Sequence, residues 1–474
     1  MSLVREVPTY RRPIDRLEPV IGSQRYAALR STASHARADL DGRIIWNVNS
    51  TAVGGGVAEM LQTLVGYVED LGIAIRWLVI HGDADFFAIT KRLHNGVHGH
   101  GDVTALGSEA ARHYADVLAA NAVELLNLVR PGDIVLLHDP QTAGLAQPLA
   151  AAGAVVVWRC HIGVDTGNDT TEAAWAFLRP HLAAAHGWVF SRRKYVPDWL
   201  DGSRVWVIPP SIDPFATKNR DLSDDDVRGI LATIGVVDAP APAEPVRFLR
   251  RDGATGELEH TASVVADALP GTGDDLVVQV SRWDRLKDMA GVMAAFTRYV
   301  AGDGHGHLAL VGPSVANVAD DPEGAAVYSD CLLQWRALAP AVRSRVMLVT
   351  LPLDDVDENA AMVNALQRHA SVVTQKSLAE GFGLTVAEAM WKARPVIGSA
   401  VGGISDQIVD GTGVLLRDPT DLRTFGAAVR DLLGDPGERS RMGAAARAYV
   451  RQNYVGDLHL IRYAEVFATL TARA

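Results

Sequence analysis

The stretch Glu380-Gly381-Phe382-Gly383-Leu384-Thr385-Val386-Ala387-Glu388-Ala389-Met390 decides how this chain is read. Two carboxylates, Glu380 and Glu388, stand eight positions apart around a glycine-rich turn. The second lies just inside an apolar segment that predicts a helix. Glycines let backbone N–H groups come close to a ligand. A helix N-terminus adds the positive end of its dipole, which suits phosphate. The pattern therefore predicts a phosphate-bearing ligand held between two acids with different tasks. A plainer reading stands beside it: Thr385-x-x-Glu388 also fits a capping box, in which Glu388 only closes the helix start.

Outward from this stretch the chain alternates strands and helices. Residues 356–369 predict a helix and 371–374 a strand. Downstream come a short strand at 395–398, a glycine turn at 401–404, a hairpin-like segment at 411–416 and then two or three helices. Upstream, strands are predicted at 276–280, 308–311 and 345–351. The first of them ends in Ser281-Arg282-Trp283-Asp284-Arg285-Leu286-Lys287-Asp288 and leads into a helix. Arg282 and Lys287 straddle that turn, and such a pair can clamp a diphosphate, Arg as a planar fork and Lys as a point charge. Two solvated surface cations are the alternative.

The N-terminal half alternates in the same way, after an irregular arm and a helix in the first forty residues. A strand at 44–49 runs into Gly54-Gly55-Gly56, and a helix follows at 57–71. Strand, glycine turn and helix form the layout of a phosphate or sugar cradle. It is not the G-x-G-x-x-G fingerprint, and a plain tight turn is the alternative. Strands at 133–137 and 154–159 deliver His138-Asp139 and His161 at their C-terminal ends. Ligands of open α/β sheets bind there. His94, His98 and His100 fall in a predicted loop at 93–101 that has no carboxylate or cysteine to complete a metal site, so they read as solvated.

At 474 residues, with 48% hydrophobic and 21% charged residues, two or three globular domains are expected. The net charge of -11 argues against non-specific binding of nucleic acid or anionic membranes. Cys160 and Cys331 lie far apart and form no metal-ligand pattern, which suggests a reducing compartment. No apolar run is long enough for a membrane span, and the polar start has no signal-peptide core, so a cytoplasmic protein is expected. Pro209-Pro210-Ser211-Ile212-Asp213-Pro214 is a rigid exit from the first half. The expected domains are 1–215 and 216–455, with a helix at about 456–474 packing back onto the first. Ser223 is expected to cap a helix that opens with Asp224-Asp225-Asp226. The proline-rich and mixed-charge segment 236–262 reads as a linker or mobile insertion.

Taken together, Arg282 and Lys287 after a strand, and Glu380-x7-Glu388 around Gly-Phe-Gly, resemble the retaining glycosyltransferases of family GT4. These have the GT-B fold, two Rossmann-like domains facing a cleft. The stretches 46–61, His138-Asp139-Pro140-Gln141, 209–214 and Glu388-Ala389-Met390-Trp391-Lys392 are similar to the trehalose glycosyltransferring synthases, themselves similar to trehalose phosphorylase. The resemblance covers most of the chain. It departs at about 236–262, which is longer than the family usually has there.

The resemblance implies transfer of glucose from an NDP-glucose (UDP-, GDP- or ADP-glucose) to a free sugar, with retention of configuration. With glucose as acceptor the product would be α,α-trehalose. It implies no required cofactor or metal, no nucleic-acid partner, and leaves room for a homodimer. Arg282, Lys287, Gly55 and Gly56 would hold the diphosphate, and Glu388 the ribose. Residues 351–353 would touch the base. Gly381, Phe382, Gly383 and Leu384 would bind the donor sugar, with Glu380 and His161 by the reacting groups. His138 and Asp139 would line the acceptor. The alternatives are another acceptor such as an amino sugar or natural product, a trehalose phosphorylase, and a non-catalytic nucleotide-sugar binding protein.

Overall fold

The computed structural model describes residues 2–52, 55–304, 306–315 and 322–472. The chain forms two compact units, Met1–Ser211 with Tyr454–Ala474, and Ile212–Asn453.

The first unit is built on β1 (Val4–Glu6), β2 (Ile45–Asn49), β3 (Ile75–Ile80), β4 (Ile134–His138), β5 (Val155–Cys160), β6 (Gly187–Phe190) and β7 (Val205–Val207). They lie side by side in the order β1-β3-β2-β4-β5-β6-β7. All pairs are parallel except β1 with β3. The flanking helices include α1 (Ser23–Asp39), α2 (Gly55–Asp70), α3 (Ala84–Val97), α4 (Ser108–Leu128) and α5 (Asp169–Leu182). Both faces are covered, so the inner strands read as nearly unbroken apolar runs. Trp46, Val48 and Leu137 pack with α3, α4 and α5 on one face. Ile45, Leu136 and Val157 pack with α2 on the other.

The second unit holds β8 (Arg247–Leu249), β9 (Thr255–Glu257), β10 (Ser263–Val265), β11 (Leu276–Val280), β12 (His307–Pro313), β13 (Val346–Leu351), β14 (Val372–Gln375), β15 (Val396–Ser399) and β16 (Gly413–Leu416). Its main sheet runs β10-β13-β12-β11-β14-β15-β16, parallel apart from β10. This is the doubly wound order, with its switch point between β11 and β14. The helices used below are α6 (Asp224–Thr233), α7 (Met289–Tyr299), α8 (Val356–His369), α9 (Leu384–Trp391), α10 (Leu422–Gly434) and α11 (Pro436–Asn453). A last helix, α12 (Gly456–Thr471), belongs to the first unit and packs Tyr463, Val466 and Phe467 against the face lined by Ile45 and Leu136.

Several local expectations change. The N-terminal arm contains β1, a three-residue edge strand too short to show a period. Helix α3 runs on to Val97, so His94 is helical, not in a loop. Residues 413–416 pair in parallel with β15 and make no hairpin. The segment around 236–262 contains an antiparallel hairpin, β8 with β9, that turns at Asp252-Gly253. Ser223 does cap α6, within a full capping box closed by Asp226.

Candidate active site

In the second unit the switch point places two loops next to each other. One leaves β11 and carries Lys287; the other leaves β14 and carries Glu380. The Leu378 N–H donates to the Leu286 carbonyl at 2.7 Å and ties the loops together. Lys287 Nζ then lies 2.6 Å from Glu380 Oε2, and Ser377 Oγ lies 3.3 Å from the same oxygen. Both charged side chains are mostly buried. Below them Lys376, fully buried, pairs with Asp288. Asp288 has a left-handed backbone (φ 50°) and caps α7 by accepting from the Gly291 N–H. Arg282 stands apart at the surface, 70% exposed, with its guanidinium 3.2 Å from Asp284.

The Gly-Phe-Gly turn is shaped from outside. Gly383 is left-handed (φ 78°) and occupies the N-cap of α9. Thr385 is therefore the second helical residue, and the capping box expected at Thr385 does not form. Gly403 N–H donates to the Gly381 carbonyl at 2.9 Å, and Gln407 Nε2 donates to the Phe382 carbonyl at 2.6 Å. Gly402 (φ 51°) comes so close that a Cβ there would sit 1.8 Å from the Glu380 carbonyl oxygen. Leu384 opens the helix, and Phe382 is buried. Glu388 lies one turn on, buried, with Lys218 Nζ at 3.6 Å. Lys392 donates to the Glu388 carbonyl at 3.1 Å and to Gln367. Burial lowers the Lys392 pKa, opposed by Glu388.

In the first unit the strand ends gather a second cluster. His138 Nδ1 and His161 Nε2 are 3.0 Å apart, with the rings stacked at 14°. His138 Nε2 is 3.1 Å from Asn47 Oδ1, and Arg159 Nε is 3.3 Å from His161 Nδ1. Arg159 Nε is also 3.2 Å from His161 Nε2, and the following tautomer set satisfies the chain. Arg159 donates to His161 Nδ1, His161 Nε2–H to His138 Nδ1, and His138 Nε2–H to the Asn47 carbonyl oxygen. Both rings are then neutral. Burial, reinforced by the Arg159 charge, pushes the His138 pKa down to about 3 and that of His161 well below the usual range.

Arg159 is itself fully buried and also donates to Tyr463 Oη at 2.8 Å and the Ile208 carbonyl at 2.9 Å. Asp139 has φ 62° and ψ -179°, a backbone region almost confined to glycine that costs another residue about 1–3 kcal/mol. Its carboxylate accepts the His161 N–H at 2.7 Å, and its carbonyl accepts from Trp158 Nε1 at 3.0 Å. Burial raises its pKa to about 7. Asp139 thus holds His161 in place. Gly55 and Gly56 form the first turn of α2, at the C-terminal end of β2; Gly54 lies outside the described residues.

Sequence reasoning missed Arg159, Lys376, Lys218 and Asn47. A cation inside the apolar run Val155-Val156-Val157-Trp158-Arg159 was a usable signal for Arg159, because a buried charge has to be answered by the fold. Lys218 and Asn47 carry no such mark. Among the described residues no group of three His, Cys, Asp or Glu side chains could hold a metal ion, and no helix is long and apolar enough to cross a membrane.

Comparison with known proteins gives a consistent result. Residues 47–197 match the family model "Trehalose synthase, N-terminal domain", and residues 357–449 match "Glycosyl transferases group 1". A trehalose synthase from Pyrococcus horikoshii is 33% identical over 473 residues, spanning 99% of both chains. A trehalose phosphorylase from Pleurotus pulmonarius is 25% identical over 431 residues, 85% of this chain and 54% of that one. Among solved structures, a UDP-forming α,α-trehalose-phosphate synthase from Burkholderia vietnamiensis aligns with a TM-score of 0.64 at 16% identity. The alignment covers 91% of this chain and 98% of that one. The fold is GT-B.

Proposed function

The chain belongs to the trehalose synthase family of glycosyltransferases, and from that premise we propose that it transfers glucose from an NDP-glucose to free glucose, with retention, forming α,α-trehalose. The observation that carries the reading is the Lys287–Glu380 pair at the β11/β14 switch point, where α/β sheets bind their ligands. Lys287 is assigned to the donor diphosphate, joined by Arg282 when its exposed side chain swings in. Glu380 and the Gly381–Leu384 backbone are assigned to the glucosyl group, and Glu388 to the ribose. Gly55 and Gly56 are given to the diphosphate as well. In the first unit the part-exposed His161 is assigned to a sugar hydroxyl; the buried His138, engaged by Asn47 and His161, is assigned to the acceptor side through His161, and Asp139 also acts through His161.

In the reaction the C1–O bond to the diphosphate breaks and a C1–O bond to the acceptor oxygen forms on the same face. The acceptor proton passes to the departing diphosphate oxygen. A fixed cation at Lys287 stabilises the charge that grows on that oxygen, an effect that can reach about 3 kcal/mol. The glucosyl carbon gains oxocarbenium character, which the Glu380 carboxylate favours. A neutral His161 can donate or accept a hydrogen bond but is a poor proton acceptor, so the general-base role falls to the leaving group.

The test is incubation with UDP-, GDP- or ADP-glucose plus glucose, following NDP release and a non-reducing disaccharide. No turnover with any of the three donors sinks the proposal. A second reading, phosphorolysis of trehalose, is favoured by the likeness to a trehalose phosphorylase. It ranks lower because this chain spans 54% of that relative but 99% of the synthase. Phosphate-dependent cleavage of trehalose without nucleotide would put it first.

A further inference from the structure

A cavity of about 70 Å³ lies within the first unit, between α1, α2, α12 and the sheet. Its walls are mostly apolar, with Ala33 and Ala36 from α1, Leu64 and Val65 from α2, and Leu460, Tyr463 and Phe467 from α12. Half-exposed rim residues such as Thr32, Leu71 and Ala464 bring it to the surface. No Asp, Glu, Lys or Arg lines it. Its polar lining at the sheet is Asn47 and His138, joined by His459 of α12.

His459 is the informative member. Its side chain is buried, 2% exposed, and its Nε2 has no hydrogen-bond partner. Nδ1 lies 3.4 Å from Ser211 Oγ. Burial and the Arg159 charge hold the ring neutral, against a smaller opposing effect of the Pro209 carbonyl. A buried ring nitrogen without a partner is destabilising, and native structures seldom keep one without cause.

We propose that this cavity binds a small neutral molecule with an aliphatic body and one hydroxyl group, the hydroxyl meeting His459 Nε2. Carboxylates, phosphates and amines are excluded because no opposite charge lines the walls. Free sugars are excluded because the walls cannot satisfy a hydroxyl on nearly every carbon. A hydroxyl both donates and accepts, so it serves either tautomer of a neutral imidazole. One water needs roughly 10–15 Å³ of such space, so the cavity takes a chain of several heavy atoms. The site is therefore distinct from any that holds glucose or a nucleotide. His138 lines it and hydrogen-bonds His161, so the bound molecule touches one ring of that pair.

The experiment needs neither nucleotide nor turnover, so it stands or falls apart from the proposed activity. The full chain is melted in a concentration series of n-hexanol, alongside Leu64→Phe, which fills the cavity. Comparison with the filled variant removes the general effect of alcohol on proteins. The expected result is a saturable rise in melting temperature of the wild type over the variant, roughly 3 °C at about ten times the dissociation constant. Should Leu64→Phe not fold, Ala36→Leu fills the same space. His459→Phe should still admit hydrocarbon but lose the preference for n-hexanol over n-hexane, about tenfold in the wild type. A wild type that shows no saturable rise, or one that persists in the filled variants, overturns the site. Equal affinity of the wild type for n-hexanol and n-hexane overturns the assignment to His459.

Discussion

At the scale of single residues, the pair Lys287 and Glu380 decides most. Each is mostly buried and each answers the other's charge at 2.6 Å. A bound diphosphate would compete for Lys287 and leave Glu380 to the sugar. Glu380→Gln keeps the shape and removes the charge. Turnover should fall by about 100-fold or more while NDP affinity changes little, as measured by initial rates and by calorimetric titration. Unchanged turnover would remove Glu380 from the chemistry. Lys287→Ala should weaken NDP binding by roughly tenfold and make what remains less dependent on salt, since one screened charge contact is gone. Equal affinity in both proteins would mean that another cation, Arg282 or Lys218, holds the diphosphate.

At the scale of elements, legibility follows length and period. Strands β11 and β14 and helix α8 stand out in the sequence because continuous apolar runs and helical spacing mark them, and the loops they emit hold Lys287 and Glu380. The proximity of His138 and His161 is legible for the same reason, since both follow buried strands that lie side by side. The tautomer chain through Arg159 and Asn47 is not, because it depends on side-chain directions across three strands. Nor does the segment around 236–262 show its order. Its hairpin is held by partners about a hundred residues away, where no local pattern can mark them. Arg250 pairs with Asp355 at 2.6 Å, Arg251 with Asp357 at 2.8 Å, and His260 Nδ1 with Glu358 Oε2 at 2.5 Å. All three acids lie at the start of α8, beside residues 351–353. The hydrogen bond to Glu358 raises the His260 pKa above its ordinary 6.5. A raised histidine contributes stability that is full below the unfolded pKa and disappears as pH rises through the folded one. Melting temperatures of wild type and His260→Gln should therefore differ most below about pH 6.5 and converge as pH rises above it. A difference that grows with pH would show that Glu358 is held by something else.

At the scale of the whole molecule, both sheets are readable as α/β because their central strands are covered on two faces; the edges are not, since β1 and β10 escape notice and β16 reads as hairpin-like. What the sequence hides is the number of ionisable groups folding buries beside the first sheet. His138, His161 and His459 are all held neutral, their pKa values lowered mainly by burial. In the unfolded chain each binds a proton near pH 6.5, so the unfolded state takes up protons first as pH falls. Their contribution is present above about pH 6.5 and lost below it. Asp139 has the opposite sign. Its pKa, raised to about 7, makes the folded state hold a proton that the unfolded state gives up above its ordinary 3.8. Over the shared window one carboxyl offsets one of the three histidines, and a net excess of protons on the unfolded chain remains. Stability should therefore fall between about pH 6.5 and pH 4, each uncompensated proton steepening the slope by about 1.4 kcal/mol per pH unit. His459→Phe removes one titrating ring without adding a charge. Scanning calorimetry over that range should show a shallower acid limb than the wild type, by at most one proton's worth. An unaltered acid limb would mean that His459 does not contribute to this acid sensitivity. Acid sensitivity would then lie with His138, His161 and the network through Arg159.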